Sequence, residues 1–216
     1  MEETIIRPYE IKDRSFIRDI AWETAFFGAP ASAFFDGKEI LADFLTKYFT
    51  DYEPQSCFVA EKENKVIGYI IGAKNNKRFE NIFLFRIFPL LLFKFIFSGS
   101  VFRKKNAVFI CNIIPGFFKG EFARPETSKD YPAVLHIDIK ENFRDSGTGS
   151  KLVSVYLDYL AKNKIKGVWL STSSEKASRF FNKEGFKLLY QGKRSYFMNI
   201  LHKDIPLYTF AKEIGK

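Results

Sequence analysis

The chain has 216 residues, 46% hydrophobic and 27% charged, a balance that excludes disordered and fibrous proteins and allows a full domain with its own core. Lysine and arginine outnumber aspartate and glutamate 34 to 25, and the resulting +9 suits anionic partners (phosphorylated cofactors, nucleic acid, anionic lipid) or simple solubility. Two cysteines, Cys57 and Cys111, cannot staple a secreted mini-fold, and Met1-Glu2-Glu3-Thr4 lacks the basic and apolar regions of a signal peptide, so a cytoplasmic protein is expected.

Thr4 to Tyr9 reads as an opening strand ended near Pro8. Asp13 then caps a helix carrying Phe16, Ile17, Ile20 and Ala21, which Gly28-Ala29-Pro30-Ala31 breaks. A second helix is predicted over Lys38 to Phe49, with Ile40, Leu41, Phe44, Leu45 and Tyr48 on one stripe. Cys57 to Glu61 and Val66 to Ala73 flank the polar tetrapeptide Lys62-Glu63-Asn64-Lys65, the pattern of a β-hairpin.

The stretch 77–122 holds 12 of the 26 phenylalanines, together with Arg78, Arg86, Lys94, Arg103, Lys104 and Lys105. Arg86, Pro89 and Lys94 interrupt its apolar run, which argues against a membrane-spanning helix. We expect these helices to pack on the domain and wall a substrate cleft. A peripheral membrane protein with an interfacial helix over Phe83 to Phe102 is the alternative.

From Ala133 the pattern sharpens. Leu135, Ile137 and Ile139 alternate with His136, Asp138 and Lys140 along a strand. A loop over Glu141 to Thr148 leads to a helix over Ser150 to Asn163, with Leu152, Val153, Tyr156, Leu157 and Leu160 on one face. A strand at Val168 to Ser171, a helix at Glu175 to Glu184 stopped by Gly185, and strands at Phe186 to Gln191 and Ser195 to Ile200 complete the chain. The order β-α-α-β-β, insert, β-α-β-α-β-β predicts a mixed α/β architecture around one sheet.

Arg144-Asp145-Ser146-Gly147-Thr148-Gly149 falls between a strand and a helix. Its glycines permit a tight turn and close approach, and the free amides at the helix start form a ready anion site, with Arg144 and Lys151 at its edge. No Walker A loop occurs, and Leu152 stands where a dinucleotide fingerprint would need its third glycine. The spacing of cysteine and histidine offers no metal site, no Gly-x-Ser-x-Gly elbow is present, and the basic run Arg103-Lys104-Lys105 is too short to suggest nucleic-acid binding. On the strand, Asp138 and His136 share one face two residues apart, where either could take a proton from a substrate; hydrogen bonding within the sheet is the alternative role for both.

The stretch from Leu135 to Leu152, with its strand, Arg-x-x-Gly-x-Gly and helix, resembles the acetyl-CoA-binding core of the GCN5-related N-acetyltransferases (GNAT). The stretch from Ser174 to Phe186 is similar to the family's Asn-x-x-Ala-x-x-Phe-Tyr-x-x-x-Gly-Phe. His136-Ile137-Asp138 and the insert also resemble acetyltransferase-like domains of O-GlcNAc hydrolases. The resemblance implies a GNAT-like, mostly antiparallel sheet flanked by helices, a Phe-rich helical insert between strands 3 and 4, and a single acyltransferase domain over 1–216. In that domain 77–122 is the insert and 133–191 the cofactor-binding core.

The resemblance further implies acetyl-CoA as co-substrate. Backbone groups of Ile137 and Ile139 would pair with its pantetheine arm, and amides of Arg144, Asp145, Ser146, Gly147, Thr148 and Gly149 would hold its pyrophosphate. Ser174, Ala177 and Phe180 would line the other side. Two positions depart from the family pattern: Ser174 replaces the usual Asn, and Phe181 replaces the usual Tyr, the proposed general acid. Tyr190, Tyr196 or Tyr156 would then have to supply that proton, or the thiol leaves unaided. The implied reaction is acetyl transfer to a primary amine, a small molecule or a peptide, by direct attack, with Asp138, His136 and Tyr190 as catalytic candidates. A monomer or homodimer is expected, and a CoA-binding module without turnover is the alternative that Phe181 suggests.

Overall fold

A computed structural model describes residues 3–123, 126–127 and 129–215. Of the single domain expected over 1–216, Met1, Glu2, Arg124, Pro125, Ser128 and Lys216 lie outside the described residues. The chain runs β1 (Ile5–Pro8), α1 (Arg14–Thr24), α2 (Lys38–Tyr52), β2 (Cys57–Lys62) and β3 (Lys65–Ala73). The insert follows, as α3 (Asn76–Ile82), α4 (Phe88–Phe97) and α5 (Lys104–Phe118). Then come β4 (Ala133–Ile139), α6 (Thr148–Lys162), β5 (Gly167–Thr172), α7 (Glu175–Lys183), β6 (Lys187–Arg194), α8 (Met198–Leu201) and β7 (Ile205–Glu213).

The strands form one sheet in the order β1-β2-β3-β4-β5-β7-β6, antiparallel throughout except for the parallel pair β4–β5. The alternation read in β4 sorts its side chains between the two faces. Leu135, Ile137 and Ile139 pack with Leu152, Val153, Tyr156 and Leu160 of α6, whereas Val134 joins Ile17, Ile20, Phe49 and Tyr69 on the α1/α2 face. On β3, a Cβ at Gly72 would fall inside the Tyr156 hydroxyl, which donates to Val134 O at 3.1 Å, so glycine is what lets α6 lie this close to the sheet.

Several local expectations are corrected. The Asp13 carboxylate does not cap α1; it turns back to accept from Glu10 N–H at 2.9 Å and to pair with Arg7 at 2.7 Å. The buried face of α2 includes Tyr48 and Phe49 with Ala42, Asp43 and Thr46; Ile40, Leu41 and Leu45 pack partly buried, and of the expected stripe Phe44 is exposed, its ring edge-on to Phe83 at 5.1 Å. The two charges of Arg18 and Asp43, an ion pair between α1 and α2, explain how an aspartate sits on that buried face.

The strand expected over Ser195 to Ile200 is instead a turn and the short helix α8. Glu121 accepts from both the amide and the hydroxyl of Ser195, each at 2.7 Å, which ends β6. Phe197, Ile200 and Leu201, at helical spacing, then enter an aromatic cluster with Phe34, Phe35, Phe95 and Phe109. The last strand is β7, which pairs β5 and β6 and was not read from the sequence.

The insert does lie between β3 and β4. A π turn over Phe83–Ile87 joins α3 to α4, because Pro89 cannot donate to the Phe85 carbonyl one helical turn back. The helix docks by Ile87, Leu91 and Phe95, and Asn106 pegs α5 to the α1–α2 loop through Asp36 N–H and O at 2.7 Å each. The insert packs on the domain along that stripe, but most of its remaining apolar side chains face solvent. No helix among the described residues is long and apolar enough to cross a membrane.

Candidate active site

Strands β4 and β5 are in register only at Ala133↔Val168 and Val134↔Trp169. Past those two pairs they splay. Lys140 N–H donates to Ile67 O of β3 at 2.9 Å, so by strand alternation the backbone groups of Ile137 and Ile139 face away from β3 and into the gap.

At the end of that gap lies the glycine-bearing loop. Asp145 (φ 62°) and Gly147 (φ 79°) take left-handed conformations, which curl the backbone so that its amides converge on one concave side. Gly147 is the N-cap of α6 and offers no side chain, so the helix starts without a side-chain cap and its first amides stay available. A Cβ on Gly147 would meet nothing within 4 Å, leaving open space beside the loop. A Cβ on Gly149 would stand 3.1 Å from Phe180 Cζ and 3.5 Å from Ile139 Cδ1. Thus β4, α6 and α7 meet at Gly149, and Phe180 covers the first turn of α6. The Ser146 hydroxyl donates to Phe143 O at 2.6 Å and lies 2.8 Å from that of Thr148, fixing the loop from inside.

Charged side chains around the loop are arranged otherwise than expected. Arg144 does not project over the anion site. Its guanidinium donates to Ile139 O at 2.9 Å and Gly28 O at 3.0 Å, strapping the α1–α2 loop to the end of β4. Gly28 (φ 92°) must be glycine there, since a Cβ would fall 2.6 Å from Arg144 Nη1. Lys151 turns to Glu3 at 2.9 Å, and Lys176 of α7 pairs with Asp145 at 2.7 Å across the loop's mouth. That exposed pair sets a cation beside the loop's own carboxylate.

On the α1/α2 face of β4, His136 and Asp138 do come together. His136 Nε2 lies 2.9 Å from Asp138 Oδ2, and the Tyr69 hydroxyl donates to the same oxygen at 2.6 Å. Tyr69 is fully buried on β3, directly opposite Asp138 in the register, whereas the His136 side chain is 43% exposed. Desolvation disfavours the His136 cation, but the Asp138 charge and hydrogen bond outweigh it, and the imidazole pKa stands above its ordinary value. Burial first, then the Asp138 charge, pushes the Tyr69 phenol well up, so it remains a neutral donor. Tyr69 was not foreseen, because only the pairing of β3 with β4 brings it opposite Asp138.

The other predicted residues fall in different places. The Ser174 hydroxyl accepts from Ala177 N–H at 3.3 Å and is the N-cap of α7. Phe181 is buried among Phe180, Phe186 and Phe210, and has no hydroxyl to offer the gap. Tyr190 lies on the edge strand β6, three strand spacings from β4, or roughly 14 Å away. It is not brought together with His136 and Asp138. Tyr156 is committed to Val134 O, and Tyr196 is stacked on Phe122 in the aromatic cluster. Cys57 is buried, its thiol pKa pushed up by desolvation, and Cys111 lies exposed on α5. No cluster of metal-ligating side chains occurs among the described residues.

This sheet, with its single splayed parallel pair and a glycine loop at the following helix, is the fold of the GNAT acetyltransferases. The crystal structure of SsHAT superposes with a TM-score of 0.71 at 18% identity, covering 99% of this chain and 100% of that one. Drosophila melanogaster polyamine N-acetyltransferase gives 0.59 at 12% identity, over 98% and 100%. The putative acetyltransferase yncA from Salmonella typhimurium, in complex with acetyl-CoA, gives 0.58 at 13%, over 99% and 95%. No protein-family profile and no curated protein sequence matches the chain.

Proposed function

We propose that this chain is an acetyl-CoA-dependent N-acetyltransferase that acts as one catalytic unit and moves the acetyl group to a primary amine by direct attack. The observation that carries this reading is the gap beyond Val134 and Trp169, with the uncapped start of α6 at its end. Backbone groups of Ile137 and the amide of Ile139, whose carbonyl already accepts from Arg144, would pair with an extended pantetheine arm in the gap. The amides from Arg144 to Gly149 would hold a pyrophosphate, with Phe180, Ala177 and the Ser174 turn on the far side. These residues fit the group: the loop is concave, uncapped and open beside Gly147. When bound, acetyl-CoA supplies a thioester carbonyl to the amine and a thiol as leaving group.

Asp138 accepts from both Tyr69 and His136 Nε2, which fixes the imidazole proton on Nε2 and leaves Nδ1 as the acceptor. Nδ1 of His136 takes the proton that the amine loses on attack. The C–N bond forms as the C–S bond breaks, and the thiolate takes up its proton from water. Nothing in this scheme requires Phe181 to donate, because a thiol of ordinary pKa near 8.5 is a tolerable leaving group. Direct attack is supported by the burial and raised pKa of Cys57 and by the place of Cys111 on α5 of the insert, outside β4, α6 and α7. The α1–α2 loop that Arg144 straps over β4 would form one wall for the amine, and Phe27, partly exposed next to Gly28, gives that wall an apolar surface.

The test is release of free thiol from acetyl-CoA across a panel of small amines and lysine peptides. Turnover on an amine class supports the enzyme. The buried, hydroxyl-free Phe181 favours a second reading, a CoA-binding module without catalysis, which predicts acetyl-CoA binding with thiol release on no amine.

A further inference from the structure

We propose that α4 and its corner with α5 form a docking surface for an anionic lipid membrane. Helix α4 reads Phe-Pro-Leu-Leu-Leu-Phe-Lys-Phe-Ile-Phe, apolar all round, a composition expected of a helix buried on every side. Yet α4 buries only Leu91 and Phe95, and the π turn before it buries Ile87, so a single stripe meets the protein. The opposite side carries Leu92, Phe93 and Ile96 into solvent. Phe85, Phe97 and Phe102 stand 73%, 74% and 85% exposed, and the rings of Phe93 and Phe97 touch at a 4.0 Å centroid distance. Apolar side chains massed in this way mark an interaction surface, because leaving them in water forfeits the burial that each would otherwise gain.

Charge selects the occupant. Between Glu80 and Glu121 the sequence contains no acidic residue, while Arg86, Lys94, Arg103, Lys104, Lys105 and Lys119 are all present. Arg103 and Lys104 follow directly on the exposed Phe102, whereas Lys94 and Lys105, each about half exposed, are paired with Asp43 at 3.7 Å and Asp36 at 3.6 Å. Aromatic side chains that insert below a ring of lysine and arginine match the interfacial zone of a bilayer carrying anionic headgroups. A second copy of the chain is disfavoured, since apposing this face to itself would bring like charges together.

The test is flotation of the full chain with vesicles of phosphatidylcholine alone or with about a third phosphatidylserine. The surface predicts flotation with the anionic vesicles only, lost at about 0.5 M salt, where screening shortens the reach of surface charge to a few ångströms. The double variants Phe97→Ser/Phe102→Ser and Arg103→Glu/Lys104→Glu should each lower the bound fraction by about tenfold or more, with thermal unfolding unchanged. Because all four residues are exposed, neither variant disturbs the core, and each checks the other. The proposal is overturned if the chain does not float with anionic vesicles or if either folded variant floats like the parent. It is equally overturned if sedimentation shows a dimer that the phenylalanine variant abolishes.

Discussion

The behaviour of His136 is decided by its desolvation and by one partner, Asp138, whose charge a single substitution removes. With its pKa raised by Asp138, the imidazole is a base only once pH passes that raised value, so kcat/KM should climb through an acid limb above pH 6.5. His136→Gln should lower kcat/KM by about 10²-fold or more and erase the limb. Asp138→Asn removes the charge that holds the pKa up, so desolvation is left to act alone and the limb should move to lower pH, with kcat down by about tenfold. An unmoved limb in Asp138→Asn, measured by thiol release against pH, would assign the titration to another group.

The same coupling has a stability sign. A cation favoured in the folded state stabilises it fully below the unfolded pKa near 6.5 and ceases to do so as pH rises through the folded value. Parent and Asp138→Asn should therefore differ more in thermal unfolding at pH 5 than at pH 9. Tyr69, which completes the group, was invisible in the sequence, because 69 positions separate it from Asp138 and only the β3–β4 register makes them partners.

Gly149 shows how elements, rather than residues, build the site. Because β4, α6 and α7 converge there, Gly149→Ala must displace the Phe180 ring, and calorimetry should find acetyl-CoA affinity weakened by about tenfold. Arg144 acts on a different element, the α1–α2 loop. Arg144→Ala should raise the amine KM by about tenfold and change acetyl-CoA affinity far less, as judged by steady-state kinetics beside calorimetry; the backbone amides of the loop survive the substitution. On the sheet's other side, Gly72→Ala must push Tyr156 away from Val134 and should cost about 1–3 kcal/mol in denaturant unfolding.

Legibility follows the range of the contacts involved. The strand, glycine loop and helix from Leu135 to Leu152 were readable because their pattern is local: alternation, two glycines and a 3.6-residue stripe. Helix α8 and strand β7 were not, because Ser195 is turned by Glu121, 74 positions away, and Pro206 in β7 looks like a break in the sequence. The Arg144 side chain was assigned to the anion site from proximity in sequence, and its hydrogen bond to Gly28, 116 positions away, redirected it.

Across the whole molecule, the sheet order separates two jobs. The β4–β5 gap ends at the uncapped amides of the α6 start, while the α1/α2 face presents His136 and Asp138 on the same β4 strand with Tyr69 opposite on β3. The insert packs against the α1–α2 loop, with the Phe109 ring centroid 4.8 Å from that of Phe34 and Asn106 bonded to Asp36. Its helices dock through the Ile87–Leu91–Phe95 stripe, the Asn106 peg and Phe109 in the aromatic cluster, and much of their outer surface faces solvent; composition shows how much phenylalanine the insert holds but not which way it points. The central claim is that the gap accepts acetyl-CoA, and calorimetric titration of the full chain tests it most directly. Saturable binding with one site per chain, weakened in Gly149→Ala, is the predicted result. Absence of binding by the folded parent would contradict the assignment of the gap and the chemistry built on it.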